Sequence, residues 1–141
     1  MTASLHFAAV KAQLVSSLPV AVTVEPAYMT NTDGTLKRVQ YVILDGGPPD
    51  VLDDERLASP QSPDSDAEYL YDVKAVAVNF DGCLTIVQKV LDGVIGFRPV
   101  IAGRNCQPIE LDGSDKIKPD YTVKPPLFYC DMTLLLKSSR A

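Results

Sequence analysis

The run Tyr69-Leu70-Tyr71-Asp72-Val73-Lys74-Ala75-Val76-Ala77-Val78-Asn79-Phe80 decides the architecture, because it is long enough for an extended central strand and leads straight into a helix. Asp81 and Gly82 mark the transition. From about residue 83 to 95, Leu84, Val87, Leu91 and Val94 repeat at helical spacing, and Ile86, Val90 and Ile95 widen the stripe. A stripe that broad predicts a deeply packed helix.

Upstream, Ser4 can cap a helix over residues 5–18, which Pro19 ends. Leu5, Ala8, Ala12 and Val15 fall on one of its faces, and Phe7, Leu14 and Leu18 on the adjoining one. The β-branched run at 20–25 predicts a short strand, and residues 39–44 predict a second. Asn31-Thr32-Asp33-Gly34 between them is a turn signal, so the two strands are expected to pair as a hairpin. Downstream, 97–102 and 106–111 flank Gly103-Arg104-Asn105 and predict another hairpin. In the closing strand Phe128, Cys130, Met132, Leu134 and Leu136 alternate with Tyr129, Asp131 and Thr133, which gives one buried face. Strands outnumber helices and mostly follow one another directly. The expected fold class is therefore α+β, a mainly antiparallel sheet with two helices packed on it, in a single domain spanning 1–141.

The chain has 141 residues, 46% of them hydrophobic and 22% charged, the ordinary make-up of a globular protein with one core. No stretch approaches the ~20 apolar residues that span a bilayer, so no membrane partner is expected. The opening residues lack a basic secretory n-region, and Lys11 interrupts the apolar run, which points to a cytoplasmic origin. The net charge is −5, and its distribution is uneven. Between residues 45 and 68 stand Asp45, Asp50, Asp53, Asp54, Glu55, Asp64, Asp66 and Glu68 against Arg56 alone, a net −7 that leaves +2 on the rest. This segment, with Gly46-Gly47-Pro48-Pro49, Pro60 and Pro63, reads as a long acidic loop or arm, a length that in compact domains marks function or disorder. An acidic chain without a basic stripe is poorly suited to gripping phosphates.

Chemistry is scarce. Cys83, Cys106 and Cys130 lie more than twenty residues apart with no CxxC, which argues against a disulfide framework or a zinc site and for small buried hydrophobes. The single histidine, His6, falls in the first helical turn, where a surface or helix-end role is expected. There is no GxSxG, P-loop or GxGxxG. Asp50, Asp53, Asp54 and Glu55 resemble hard-cation ligands, but their spacing fits no EF-hand. No catalytic residue, metal site or cofactor is therefore expected.

Taken in order, these elements resemble the tail-terminator proteins, minor tail and head–tail joining components of long-tailed bacteriophages. The resemblance is carried by the opening helix through Leu18-Pro19, the strand at 20–25, and the strand at 41–44 before the acidic loop. It continues through the strand at 69–80 with its helix, and through Asp120-Tyr121-Thr122-Val123-Lys124-Pro125-Pro126-Leu127-Phe128-Tyr129. It implies a non-enzymatic virion protein of the tail–neck region, assembled in the host cytoplasm. Such subunits form a homohexameric ring that caps the tail tube protein, stops its polymerisation and meets the head-completion proteins of the neck. Genomic DNA passes through the lumen without specific binding.

An acidic lumen repels DNA phosphates, so Asp50, Asp53, Asp54, Glu55, Asp64, Asp66 and Glu68 are the expected lumen or partner contacts. A free subunit is expected to be monomeric or weakly associated, with the tube end templating the ring. The alternatives are a neck connector (a stopper or adaptor), a non-viral α+β interaction module, and a metal-assisted hydrolase using the carboxylates of 50–55.

Overall fold

The structure, a computed structural model, describes residues 2–46, 50–51 and 66–140. Its spine is two long strands, β4 (Ala67–Ala77) and β8 (Leu127–Arg140), paired antiparallel from Ala67↔Ser138 to Ala77↔Phe128. Both alternate buried and less buried positions, so each presents one apolar face to the same side. The order before β4 is α1 (Thr2–Ser17), β1 (Thr23–Glu25), β2 (Tyr41–Gly46) and β3 (Asp50–Val51). Between the spine strands lie α2 (Phe80–Val94), β5 (Arg104–Cys106), β6 (Glu110–Ser114) and β7 (Lys118–Asp120). The eight strands among the described residues join one sheet in the order β1-β2-β4-β8-β5; β3 pairs with β4, and β6 and β7 pair with β8. The fold is α+β, and every strand pair but one is antiparallel.

That one pair corrects the expected first hairpin. β1 and β2 run parallel, Thr23↔Tyr41 to Glu25↔Ile43. The turn signal at Asn31–Gly34 is real, since Gly34 has φ 87° and the Asn31 amide donates to the Thr35 carbonyl at 2.8 Å. It closes a small side excursion bridged at Thr30↔Leu36, and the chain returns to enter β2 in the direction of β1. The second expected hairpin is also absent, because residues 97–102 form no strand. The Ile109 amide donates to Phe97 and its carbonyl accepts from Gly96, whereas β5 and β6 pair with β8, which offers a longer edge.

Both helices among the described residues cover one face of the sheet. α2 begins at Phe80, earlier than expected, because the Asn79 side chain caps it by accepting from the Gly82 amide at 2.6 Å. It buries Cys83, Ile86, Val90 and Val94, while Leu84 stays half-exposed. Of the two faces read on the first helix, the structure buries the one carrying Leu14 and Leu18, joined by His6 and Val10. α1 and α2 cross closely at Gly93, whose carbonyl accepts from Gln13 Nε2 at 2.7 Å and beside which Ser17 packs. These side chains and Val73, Ala75, Met132, Leu134 and Leu136 of the sheet make the main core. Each fully buried aliphatic side chain contributes about 1.5–3 kcal/mol. A smaller cluster of Tyr41, Ile43, Val76 and Leu127 lies beneath Met29, Leu36 and Val123.

Candidate functional site

The acidic segment is the far end of a hairpin. β2 and β4 pair antiparallel as far as Gly46↔Tyr71, and β3 extends the ladder with Asp50↔Glu68 and Val51↔Ala67. Of the expected contact residues, Asp50, Asp66 and Glu68 fall within this described end, and Asp53, Asp54, Glu55 and Asp64 lie outside the described residues. Asp66 accepts from the Arg140 amide at 3.4 Å, and Glu68 stands opposite Lys137 on β8. Asp66 and Glu68 share the wall of a shallow cavity of about 140 Å³ with Asn105, Gln107, Lys137 and Ser139. The space is smaller than the ~300 Å³ at which ligand pockets begin, and its walls, which also include Ser138, offer hydrogen bonds. Such a surface can take up the polar groups of a neighbouring segment.

Below this end, on the helix side, lies a polar cluster that sequence reasoning missed. His6 is fully buried, against the expectation of a surface role, and its Nε2 lies 2.8 Å from Ser138 Oγ. Its ring stacks on Tyr69 with centroids 4.2 Å apart. Arg104 donates from Nε to Ser138 Oγ at 2.9 Å and from a terminal nitrogen to the Ser138 carbonyl at 3.0 Å. The His–Ser distance matches that of a nucleophile and its base. Here, however, the serine is 4% exposed under α1 and its hydroxyl already accepts from a guanidinium, so it is held within a hydrogen-bonded network. The cluster instead ties the start of α1 to β5 and the end of β8. Helical spacing sets His6 in line with Val10 and Leu14 but gave no sign of its partner Ser138, which lies 132 residues away.

The face of the sheet opposite the helices is the second feature. Alternation along β4 and β8 turns Leu70, Asp72 and Lys74 outward beside Leu135, Thr133 and Asp131. Asp45 pairs directly with Asp72, and Glu110 stands opposite Leu135. Thr133 Oγ1 donates to Asp72 at 3.2 Å. Carboxylates thus continue from the hairpin end onto the open sheet, a pattern present in the alternation of Asp72 and Asp131. Lys74 sits among them, 3.6 Å from Asp131 and donating to the Tyr28 hydroxyl at 2.9 Å, with its ammonium over the Tyr28 and Tyr129 rings. Burial pulls its pKa down, but the Tyr28 hydroxyl and the Asp131 carboxylate outweigh that and hold it above the ordinary value.

The three cysteines are free and buried. Burial, with Cys130 nearby, pushes the Cys83 thiol up to about 12, and burial also raises Cys130. Thiols held neutral in this way are poor nucleophiles. Among the described residues no group of three or more His, Cys, Asp or Glu side chains is placed to hold a metal ion. No helix among them is long and apolar enough to cross a membrane.

No protein-family model matches the sequence, and no curated protein matches it. Among solved structures the chain is similar to one from the virion of a native gene transfer agent particle, with a TM-score of 0.58. The likeness covers 93% of this chain and 92% of that one at 17% identity, which shows a shared fold.

Proposed function

We propose that this chain is a non-enzymatic structural protein of a tailed phage or phage-like particle, and that it acts as a tail terminator. Copies would form a ring, a hexamer by family resemblance, that caps the tail tube, ends its polymerisation and joins the tail to the head-completion proteins. The observation that carries the reading is the shared fold, which runs nearly end to end in both chains and whose counterpart is a virion component. The polar, shallow hairpin end and the buried His6–Ser138 pair agree with a role in contact instead of turnover. Asp50, Asp66 and Glu68, with Asp53, Asp54, Glu55 and Asp64, are assigned to the lumen or to an adjoining ring, and DNA passes without specific binding.

Electron microscopy of particles made without this protein tests the assignment. Overlong tails detached from heads are expected. Tails of normal length that fail to join heads would move the protein into the neck, and intact particles would end the virion reading.

A further inference from the structure

Helix α1 is apolar on two opposite sides, and the core accounts for only one of them. Leu5, Ala8, Ala12 and Val15 fall within about a quarter of the helix circumference. All four are exposed, Leu5 by 52% and Val15 by 54%, on the side away from His6, Val10 and Leu14. The helix carries no acidic residue, and its one permanent charge, Lys11, borders the stripe. α2 differs, since its exposed side carries Asp81, Gln88, Lys89 and Asp92 between its half-exposed apolar residues. A helix with apolar residues on two opposite sides, only one of them against the core, leaves the other for a partner to cover.

The other face of the molecule carries the counterpart. On the open sheet, Leu70 is 49% exposed beside its cross-strand partner Leu135. Around these two leucines stand Asp72, Glu68 and Glu110, with Asp45 next to Asp72. One surface is thus an apolar ridge edged by a lysine, and the other an apolar spot whose rim carries more carboxylates than lysines, since Lys137 opposite Glu68 and Lys74 beyond Asp72 share that face. They lie on opposite sides of the same sheet.

We infer that copies of this chain associate head to tail, the outer stripe of α1 in one subunit seating on the Leu70–Leu135 face of the next, with Lys11 against the acidic rim. Two different surfaces on opposite faces make a heterologous contact, which repeats around an axis or along a filament and does not stop at a dimer. Charge complementarity fixes which face meets which, and the leucines and alanines supply the dry centre. The inference rests on the ring-subunit reading for its setting, but the contact itself is read from the two surfaces.

Cysteine cross-linking tests it, because the three native cysteines are buried and engineered ones at exposed positions react first. The purified full chain carrying both Ala12→Cys and Leu70→Cys, treated at high concentration with a short bis-maleimide, is expected to give a ladder of covalent multimers. Each single variant should remain monomeric. Lys11→Glu should lower the multimer yield about threefold, as expected for an exposed ion pair, and adding Asp72→Lys should restore it. Dimers from Ala12→Cys alone would mean a two-fold pairing of α1, and would overturn the inference. So would a cross-link within one chain, or no cross-link in the double variant. The two readings fail separately: a ladder from a protein whose loss leaves tails normal keeps the contact and removes the terminator role, whereas overlong tails without a ladder do the reverse.

Discussion

The Cys83 thiol sets a limit on stability that depends on pH. Burial raises its folded-state pKa from the ordinary 9.0 to about 12. A group raised on folding contributes stability that is intact below its unfolded pKa and is lost as pH climbs toward the folded one. Between pH 9.0 and about 12 the unfolded chain therefore gains from ionising while the folded chain does not. The midpoint of urea unfolding is expected to fall across that window, and to fall less steeply in Cys83→Ala. Equal slopes in both proteins would assign the alkaline loss to other groups, with buried Tyr71, also raised by burial, the first to examine. His6 shows where residue-level reading stops. Helical periodicity aligns His6 with Val10 and Leu14 on the buried face, and what makes its burial tolerable is distant in sequence: Ser138 supplies a hydrogen bond and Tyr69 a stacking surface. The cysteines, by contrast, were legible as buried hydrophobes from their wide spacing.

At the scale of elements, legibility followed the strength of the repeat. β8 was readable residue by residue, since Cys130, Met132, Leu134 and Leu136 keep strict alternation over a strand long enough to pair on both edges. The β1–β2 relation was not, because a turn signal reports a local reversal and does not say which two strands it joins. The crossing of α1 and α2 was also hidden, and it yields a sharp test. Alanine in a helix is worth about 0.5–1 kcal/mol over glycine on backbone grounds alone. At Gly93, however, an added Cβ would stand 2.5 Å from Ser17 Cβ and closer still to its hydroxyl. Overpacking of that kind costs about 1–3 kcal/mol, so the contact wins and Gly93→Ala should lower the thermal midpoint. In a Ser17→Gly background the same change should become neutral or stabilising. Additive losses in the double variant would mean that the close approach is not what keeps residue 93 a glycine.

For the whole molecule, the question is what a concentrated negative charge would do in a ring subunit of the kind proposed above, with DNA passing through its lumen. The candidate contact residues were legible only as charge: sequence gives the −7 of residues 45–68, and the structure sets Asp72 and Asp131 on the open sheet beside that segment, Asp72 paired with its Asp45. Repulsion between these carboxylates and phosphates acts over about 8 Å at physiological salt. Only a residue close to the passing duplex can therefore matter. Replacing Asp53, Asp54, Glu55 and Asp64 together with lysine would turn repulsion into attraction, and each neutralised phosphate adds salt-dependent affinity. Particles built with that variant are expected to release DNA roughly tenfold more slowly at low salt, the delay shrinking as salt rises. The matching asparagine variant should assemble equally well and release DNA at close to the normal rate, which separates charge from shape. Release unchanged by the lysines at every salt concentration would place the arm outside the lumen, against a neighbouring ring.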